Sequence, residues 1–191
     1  MDVRTLMRRA AQHYSGYEAI VHGSRRLTFA QAWQRGVRLA NGLRSLGVAP
    51  GDRVGVLEDN GIEAGDLFVG AAVANAVRVP LYPRNGRSAH LHMLGHTNCK
   101  VLLVSAAYAH EVAGLADELP DLQHIFIRDE GYENWLAQFS DTDPEVDISP
   151  EDYFIIRHTG GTTGLSKGVA YTHKAWLAAG RDWFYTFPPV I

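Results

Sequence analysis

Val54-Gly55-Val56-Leu57 and Val77-Arg78-Val79-Pro80-Leu81 are two short apolar runs on either side of the longer apolar segment Ile62–Ala74. The two runs are rich in valine, which is typical of strands that are buried on both faces. The segment between them is apolar nearly all round, so it predicts a buried helix. Strand, helix and strand with short joins are the unit from which a parallel sheet is built.

The same alternation is found upstream of this unit. Thr28 and Gln31 have the spacing of a capping box, which predicts the start of a helix. Apolar residues then recur at spacings of three and four, which indicates one apolar helix face. Gly47 is the expected left-handed stop of this helix.

The alternation also continues downstream. Ser88 is expected to cap a short helix, and residues 106–119 read as a longer one. Residues 100–104 and 125–127 are apolar and predict two more strands. The sequence therefore predicts an α/β fold with a mostly parallel sheet covered by helices on both faces. It leaves the strand order open, and ligands are expected at the carboxyl ends of the strands.

Composition excludes several classes of protein. The chain has 191 residues, 46% of them hydrophobic, and a formal net charge of −3, which suits a globular domain with no broad affinity for nucleic acid. Cys99 is the single cysteine, so no internal disulfide can form. The longest apolar stretch, residues 67–77, is too short to span a bilayer, and no signal peptide is visible. We therefore expect a cytoplasmic protein without a transmembrane segment.

An acidic stretch predicts the organisation of the chain. Residues 141–152 carry six acidic side chains, no basic one and two prolines, which is typical of a solvated connector. Removing these six charges from a net charge of −3 leaves +3 on the remaining residues. We expect an α/β part over residues 1–140, an acidic linker over 141–152, and a strand–loop–strand unit with a following helix over 153–191.

Residues 159–168, Thr-Gly-Gly-Thr-Thr-Gly-Leu-Ser-Lys-Gly, carry the chemistry. Glycines let backbone N–H groups converge on an anion, threonine hydroxyls add donors, and Lys167 supplies a mobile positive charge. This composition predicts a phosphate-binding loop between two strands. It is not a Walker loop, because Lys167 is followed by Gly168 and a strand rather than by Ser or Thr and a helix. A kinase-like NTPase is disfavoured for the same reason.

The loop resembles the phosphate-binding signature of the adenylate-forming enzymes, the superfamily of acyl-CoA synthetases, luciferases and peptide-synthetase adenylation domains. Residues 158–169 carry the closest likeness, and residues 27–31, 46–54 and 73–81 support it. The chain departs from the common pattern at four positions, which are Asn75, His158, Gly160 and Ser166. The run Thr-Gly-Gly-Thr-Thr-Gly is closer to fatty-acyl-CoA ligases than to amino-acid-activating domains.

This resemblance implies the N-terminal portion of an enzyme that activates a carboxylic acid. ATP and the acid would form an acyl-adenylate, and coenzyme A would then give a thioester, with Mg²⁺ as the metal. Lys167 would stabilise the leaving pyrophosphate, and Thr159 is a candidate Mg²⁺ contact. The residues that would wrap the β- and γ-phosphates are Thr159, Gly160, Gly161, Thr162, Thr163 and Gly164.

The resemblance also implies that the remaining contacts to ATP, metal and acid lie outside these residues, so this chain alone is expected to be inactive. Three alternatives stay open: an aryl-CoA ligase, a peptide-synthetase adenylation domain, and a truncated nucleotide-binding or interaction module without chemistry. Neither the acid nor the thiol acceptor can be named from the sequence. The partners expected are a small carboxylic acid, ATP and coenzyme A.

Other polar and aromatic residues are weaker candidates. His90, His92 and His96 have a spacing at which imidazoles can bind zinc, although a plain surface helix fits them better. His173 is either a nucleotide contact or a polar helix start. The end of the chain is rich in aromatic residues, and we expect some of them to be exposed and to promote self-association. These aromatic residues are Trp176, Trp183, Phe184, Tyr185 and Phe187.

Overall fold

A computed structural model describes residues 1–160 and 165–187. Its helices are α1 (Val3–His13), α2 (Phe29–Ser45), α3 (Ile62–Ala74), α4 (Arg87–His96), a 3₁₀ helix (Ala106–Val112), α5 (Leu115–Glu118), α6 (Tyr132–Ala137) and α7 (His173–Thr186). Its strands are β1 (Glu18–His22), β2 (Arg25–Thr28), β3 (Arg53–Leu57), β4 (Val77–Pro80), β5 (Cys99–Ser105), β6 (His124–Arg128), β7 (Tyr153–His158) and β8 (Gly168–Thr172).

Six strands form one sheet in the order β6-β5-β3-β4-β7-β8. Strands β3 to β7 run parallel, and β8 runs antiparallel to β7. The chain moves from β3 to β4 on one side and then crosses back to β5 on the other. The predicted α/β class and mostly parallel sheet are therefore confirmed. Strands β1 and β2 form a separate antiparallel hairpin.

Alternating side chains of the central strands build an apolar core on each face of the sheet. Val101 and Leu103 of β5 point to the face covered by α2, α3 and α6. Leu102 and Val104 of the same strand point to the other face, against α4 and α5. Because successive side chains on a strand alternate, a strand covered on both faces is apolar at most of its positions.

Local signals are confirmed at two positions and wrong at two. The Thr28 capping box is complete, and Gly47 is left-handed, with φ of +81°. Asn75, at the end of α3, is also left-handed, with φ of +53°. Ser88 is not a cap, because α4 begins one residue earlier, with Gly86 at its N-cap. Residues 106–119 are not one helix: the 3₁₀ helix ends at Val112, and the left-handed Gly114 starts α5. Helices α1 and α6 and the β1–β2 hairpin were not predicted.

The acidic stretch 141–152 contains no helix or strand. Arg4 of α1 binds acidic side chains near the middle of this stretch. The side chain of Arg4 is only 7% exposed, and its guanidinium lies 2.8 Å from a carboxylate oxygen of Asp143 and pairs with Glu145. It also donates to the carbonyl oxygen of Val146 at 2.6 Å. The ion pairs and the hydrogen bond of the buried Arg4 therefore fix the path along which the chain returns to the sheet at β7. The division into three parts stays a prediction.

Helix α7 leaves large aromatic side chains in solvent. Trp183, Phe184, Tyr185 and Phe187 are each more than half exposed, as expected. Self-association through them stays a prediction. Within residues 1–160 and 165–187, no helix has the length and apolar character needed to cross a membrane.

Candidate phosphate-binding site

The predicted phosphate loop leaves the sheet at the carboxyl end of β7 and returns at β8. The pairing of His158 with Gly168 is extended by the N–H of Thr159, which donates to the carbonyl oxygen of Lys167 at 2.9 Å. The N–H of Lys167 donates to Oγ1 of Thr159 at 3.2 Å, and Oγ of Ser166 donates to the carbonyl oxygen of Thr159 at 2.9 Å. These bonds close the base of the loop.

The candidate phosphate ligands that the structure describes are accessible. Thr159, Gly160 and Lys167 are exposed. Among the described residues, no carboxylate forms a salt bridge with the Lys167 ammonium. Its charge is therefore available to an anion. The predicted ligands Gly161, Thr162, Thr163 and Gly164 lie outside the described residues.

Two side chains from earlier in the chain contact the base of this loop. The hydroxyl of Tyr82, just after β4, donates to the carbonyl oxygen of His158. Nε2 of His92, on α4, lies 2.7 Å from the carbonyl oxygen of Ser166, so this nitrogen carries the proton. The sequence placed neither residue at the loop, although Tyr82 lies at the carboxyl end of a parallel strand, where functional groups are expected.

A cleft of about 310 Å³ separates α4 from the loop. Its walls combine side chains of the β4–α4 connection and of α4 with residues at the two ends of the loop. The lining residues are Tyr82, Asn85, Ser88, Ala89, His92, Thr159, Gly160, Leu165 and Ser166.

His158 forms the buried floor beneath the loop. Its side chain is buried, and both ring nitrogens lack a hydrogen-bond partner among the described residues. Its ring lies 6.2 Å from that of His96, which stacks on His92 at 5.5 Å. Burial lowers the pKa of His158 below its usual value of 6.5, and the rings of His96 and His92 lower this pKa further. The imidazole is therefore neutral at pH 7.

Lowering the pH below 6.5 is expected to destabilise the protein through His158. The unfolded chain takes up a proton there, whereas the folded chain stays neutral until its lower pKa is reached, so the free energy of unfolding falls with pH across that window. Urea unfolding between pH 5 and 8 measures this effect. As the pH is lowered, the free energy of unfolding should fall less steeply in His158→Leu than in the wild type. The matched variant His124→Leu, at an exposed position, should keep the wild-type slope. Identical slopes in all three proteins would contradict the prediction.

The three histidines at 90, 92 and 96 do not form a metal site. Nε2 of His90 lies 3.1 Å from the carbonyl oxygen of Tyr82, and His92 faces the loop. Nowhere in the described part of the chain do three His, Cys, Asp or Glu side chains form a group that could hold a metal ion. Among the described residues the Thr159 hydroxyl accepts one hydrogen bond, from the N–H of Lys167, which would leave a second lone pair for Mg²⁺. Mg²⁺ commonly takes few protein ligands together with substrate phosphates.

His173 lies at the opposite edge of the sheet from the loop, since Thr172 pairs with Tyr153 at the start of β7. Its Nδ1 accepts from the N–H of Val3 at 3.2 Å, and its Nε2 lies 3.4 Å from Oδ1 of Asn75. Burial lowers the pKa of His173, in keeping with the neutral tautomer that this pattern requires. Of the two hypotheses for His173, the structure supports a polar helix start rather than a nucleotide contact. The side chain joins the beginnings of α1 and α7 to the end of α3.

Comparison with known proteins agrees with this fold and loop. The crystal structure of the N-terminal domain of FACL13 from Mycobacterium tuberculosis superposes with a TM-score of 0.93 at 30% identity, over 98% of this chain and 48% of that one. The fold is that of the N-terminal domain of adenylate-forming enzymes. The chain belongs to the AMP-binding enzyme family, whose model matches residues 7–189.

Two curated relatives are ligases of fatty acids. The chain is 30% identical to the fatty acid–[acyl-carrier-protein] ligase ScoC of Streptomyces coeruleorubidus, over 91% of this chain and 34% of that protein. It is 32% identical to the long-chain-fatty-acid–CoA ligase FadD13 of Mycobacterium tuberculosis, over 84% of this chain and 32% of the relative. The chain thus spans about a third of the length of these relatives.

Proposed function

We propose that the chain is the phosphate-binding part of a longer enzyme that activates a carboxylic acid with ATP. The observation that carries the proposal is the glycine- and threonine-rich segment between β7 and β8, whose base is closed by hydrogen bonds and whose lysine is exposed and unpaired among the described residues. Family membership supports the same chemistry.

The proposed reaction has two steps. In the first, a carboxylate oxygen attacks the α-phosphorus of ATP, an O–P bond forms, and the bond to the β-phosphate oxygen breaks with its electron pair leaving on pyrophosphate. In the second, a thiol sulfur attacks the acyl carbon, a C–S bond forms, AMP leaves, and the thiol proton passes to solvent.

Lys167 and the loop would act by electrostatics rather than by proton transfer. Backbone N–H groups and hydroxyls of residues 159–164 would hold the β- and γ-phosphates. The Lys167 ammonium would stabilise negative charge as it develops on pyrophosphate. Thr159 would contact Mg²⁺, which when bound neutralises phosphate charge.

A fatty acid is the proposed substrate, with coenzyme A as the acceptor. The names of both relatives support the acid, whereas the acceptor is coenzyme A for one and an acyl carrier protein for the other. An aryl acid, an amino acid or a carrier-protein thiol is the alternative within the same chemistry. Cytoplasmic location stays a prediction.

Acid-dependent ATP–pyrophosphate exchange in the full-length protein tests this function. A panel of fatty, aryl and amino acids identifies the substrate class, and coenzyme A or a carrier protein added afterwards identifies the acceptor. ATP hydrolysis without any acid would favour a kinase-like NTPase. Nucleotide binding without exchange would favour a binding module that lacks chemistry.

The 191-residue chain alone is expected to form no acyl-adenylate. The chain spans about a third of the length of its relatives. The contacts of one loop should bind ATP with a Kd of ~1 mM or weaker. Isothermal titration with ATP and an adenylate assay on the isolated chain check this. Submicromolar ATP affinity or measurable adenylate from the chain alone would overturn the prediction.

A further inference from the structure

We propose that Tyr82 and His92 are positioning residues that hold the two ends of the phosphate loop in register. Tyr82 donates to the carbonyl oxygen of His158, where the chain enters the loop. His92 donates to the carbonyl oxygen of Ser166, where the chain leaves it. This inference rests on the proposed function for its effect on ATP, although the contacts themselves are independent of it.

The loop needs such support because the sheet holds this end of β7 weakly on one side. The described register between β4 and β7 is the single pair Arg78 and Ile155, three residues before His158. On the other side, β8 pairs with β7 as far as Gly168. The hydrogen bond from the Tyr82 hydroxyl to His158 therefore joins the segment after β4 to the end of β7, beyond the last residue pair of the two strands.

Tyr82 is itself held in place from two directions. The preceding residue, Leu81, is buried, and its N–H donates to the carbonyl oxygen of Val56 at 2.8 Å. The carbonyl oxygen of Tyr82 lies 3.1 Å from Nε2 of the fully buried His90. The phenol thus extends from a backbone fixed by β3 and α4.

His92 is fixed by the packing of its helix. The next two residues of α4, Met93 and Leu94, are 0% and 1% exposed in the core beneath the sheet. The His92 ring stacks on His96 with an interplanar angle of 21°. Its Nε2–H therefore meets the Ser166 carbonyl from a rigid element rather than from a mobile surface chain.

Fixing both ends of a loop lowers the conformational entropy that is lost when phosphate binds. The bonds between Thr159 and Lys167 close the base of the loop, but they tie its two ends only to each other. Tyr82 and His92 tie this base to β4 and α4. Loss of either side chain is expected to weaken ATP binding by loosening the base of the loop.

Hydrogen–deuterium exchange on the full-length protein tests the proposal directly. In Tyr82→Phe and in His92→Leu, the amides of Thr159 and Lys167 should exchange about fivefold faster than in the wild type, the effect of one lost hydrogen bond. His92→Gln retains an N–H donor and should restore wild-type exchange. Tyr108→Phe removes a phenol that is bonded to Asp59 rather than to the loop, and should leave both amides unchanged.

Kinetics give a second readout. The KM for ATP should rise about fivefold in Tyr82→Phe and His92→Leu, whereas the KM for the acid should stay at its wild-type value. The thermal midpoint should fall by no more than about 2–4 °C, the effect of one lost hydrogen bond. Unchanged exchange at Thr159 and Lys167 in both variants would overturn the proposal, as would a uniform rise in exchange across the whole protein. Absence of acid-dependent pyrophosphate exchange in the wild type would instead reject the proposed function, and the deuterium comparison would still decide the role of Tyr82 and His92.

Discussion

Replacing Lys167 with alanine in the full-length protein is expected to lower acid-dependent ATP–pyrophosphate exchange by about 100-fold or more, the effect of losing a group that stabilises developing charge. The side chain is exposed and forms no salt bridge within the described residues, so its loss should not disturb folding. Exchange at saturating ATP and acid measures the effect, and thermal unfolding checks that the variant is intact.

Lys174→Ala is the matched control for Lys167. This lysine is also exposed, lies on α7, and pairs with Glu151 at 3.0 Å across the surface. A surface pair of this kind contributes less than about 1 kcal/mol, and we expect wild-type exchange in the variant. Equal losses in the two lysine variants would show that general surface charge, rather than the loop, controls activity. Full activity in Lys167→Ala would contradict the assigned role.

Replacing Phe154 with alanine is expected to lower the free energy of unfolding of the chain by about 3–5 kcal/mol. Phe154 is 0% exposed in β7, and its ring lies 5.4 Å from Phe68, 5.1 Å from His173 and 5.9 Å from Trp176. The cavity would separate α3 from α7 beneath the strand that leads into the phosphate loop. A loss of this size is a large fraction of the total stability of a domain.

Urea unfolding followed by tryptophan fluorescence measures this loss. Tyr153→Ala is the matched control, because Tyr153 is the preceding residue of the same strand and is 56% exposed. Its removal should change stability by less than about 1 kcal/mol. A loss below 1 kcal/mol in Phe154→Ala would show that β7 is not the anchor of this part of the fold.

Periodic apolar patterns predicted the central elements well because those elements are buried on both sides. Strands β3, β4 and β5 and helix α3 have no exposed residue, so their sequences are mostly apolar. The charged residues within them are Arg53, Glu63, Asp66, Arg78 and Lys100. Helix α1 was missed although its sequence carries local signals, since Asp2 caps it and apolar residues recur at spacings of three and four from Val3 to Ala11. The burial of Arg4 could not be predicted, because its acidic partners lie 139 or more residues away in the sequence. No local pattern indicates such a partner.

The amino-acid sequence by itself determined the class of fold, the left-handed stop at Gly47, and the position of the glycine-rich loop between β7 and β8 that we propose to bind phosphate. Each of these depends on neighbouring residues, through periodicity, backbone conformation or composition. Only the tertiary structure decided the strand order and the contacts of Tyr82 and His92 with the base of the loop. Those contacts join residues 74 to 76 positions apart, because the crossover from β4 to β5 places α4 beside the end of β7.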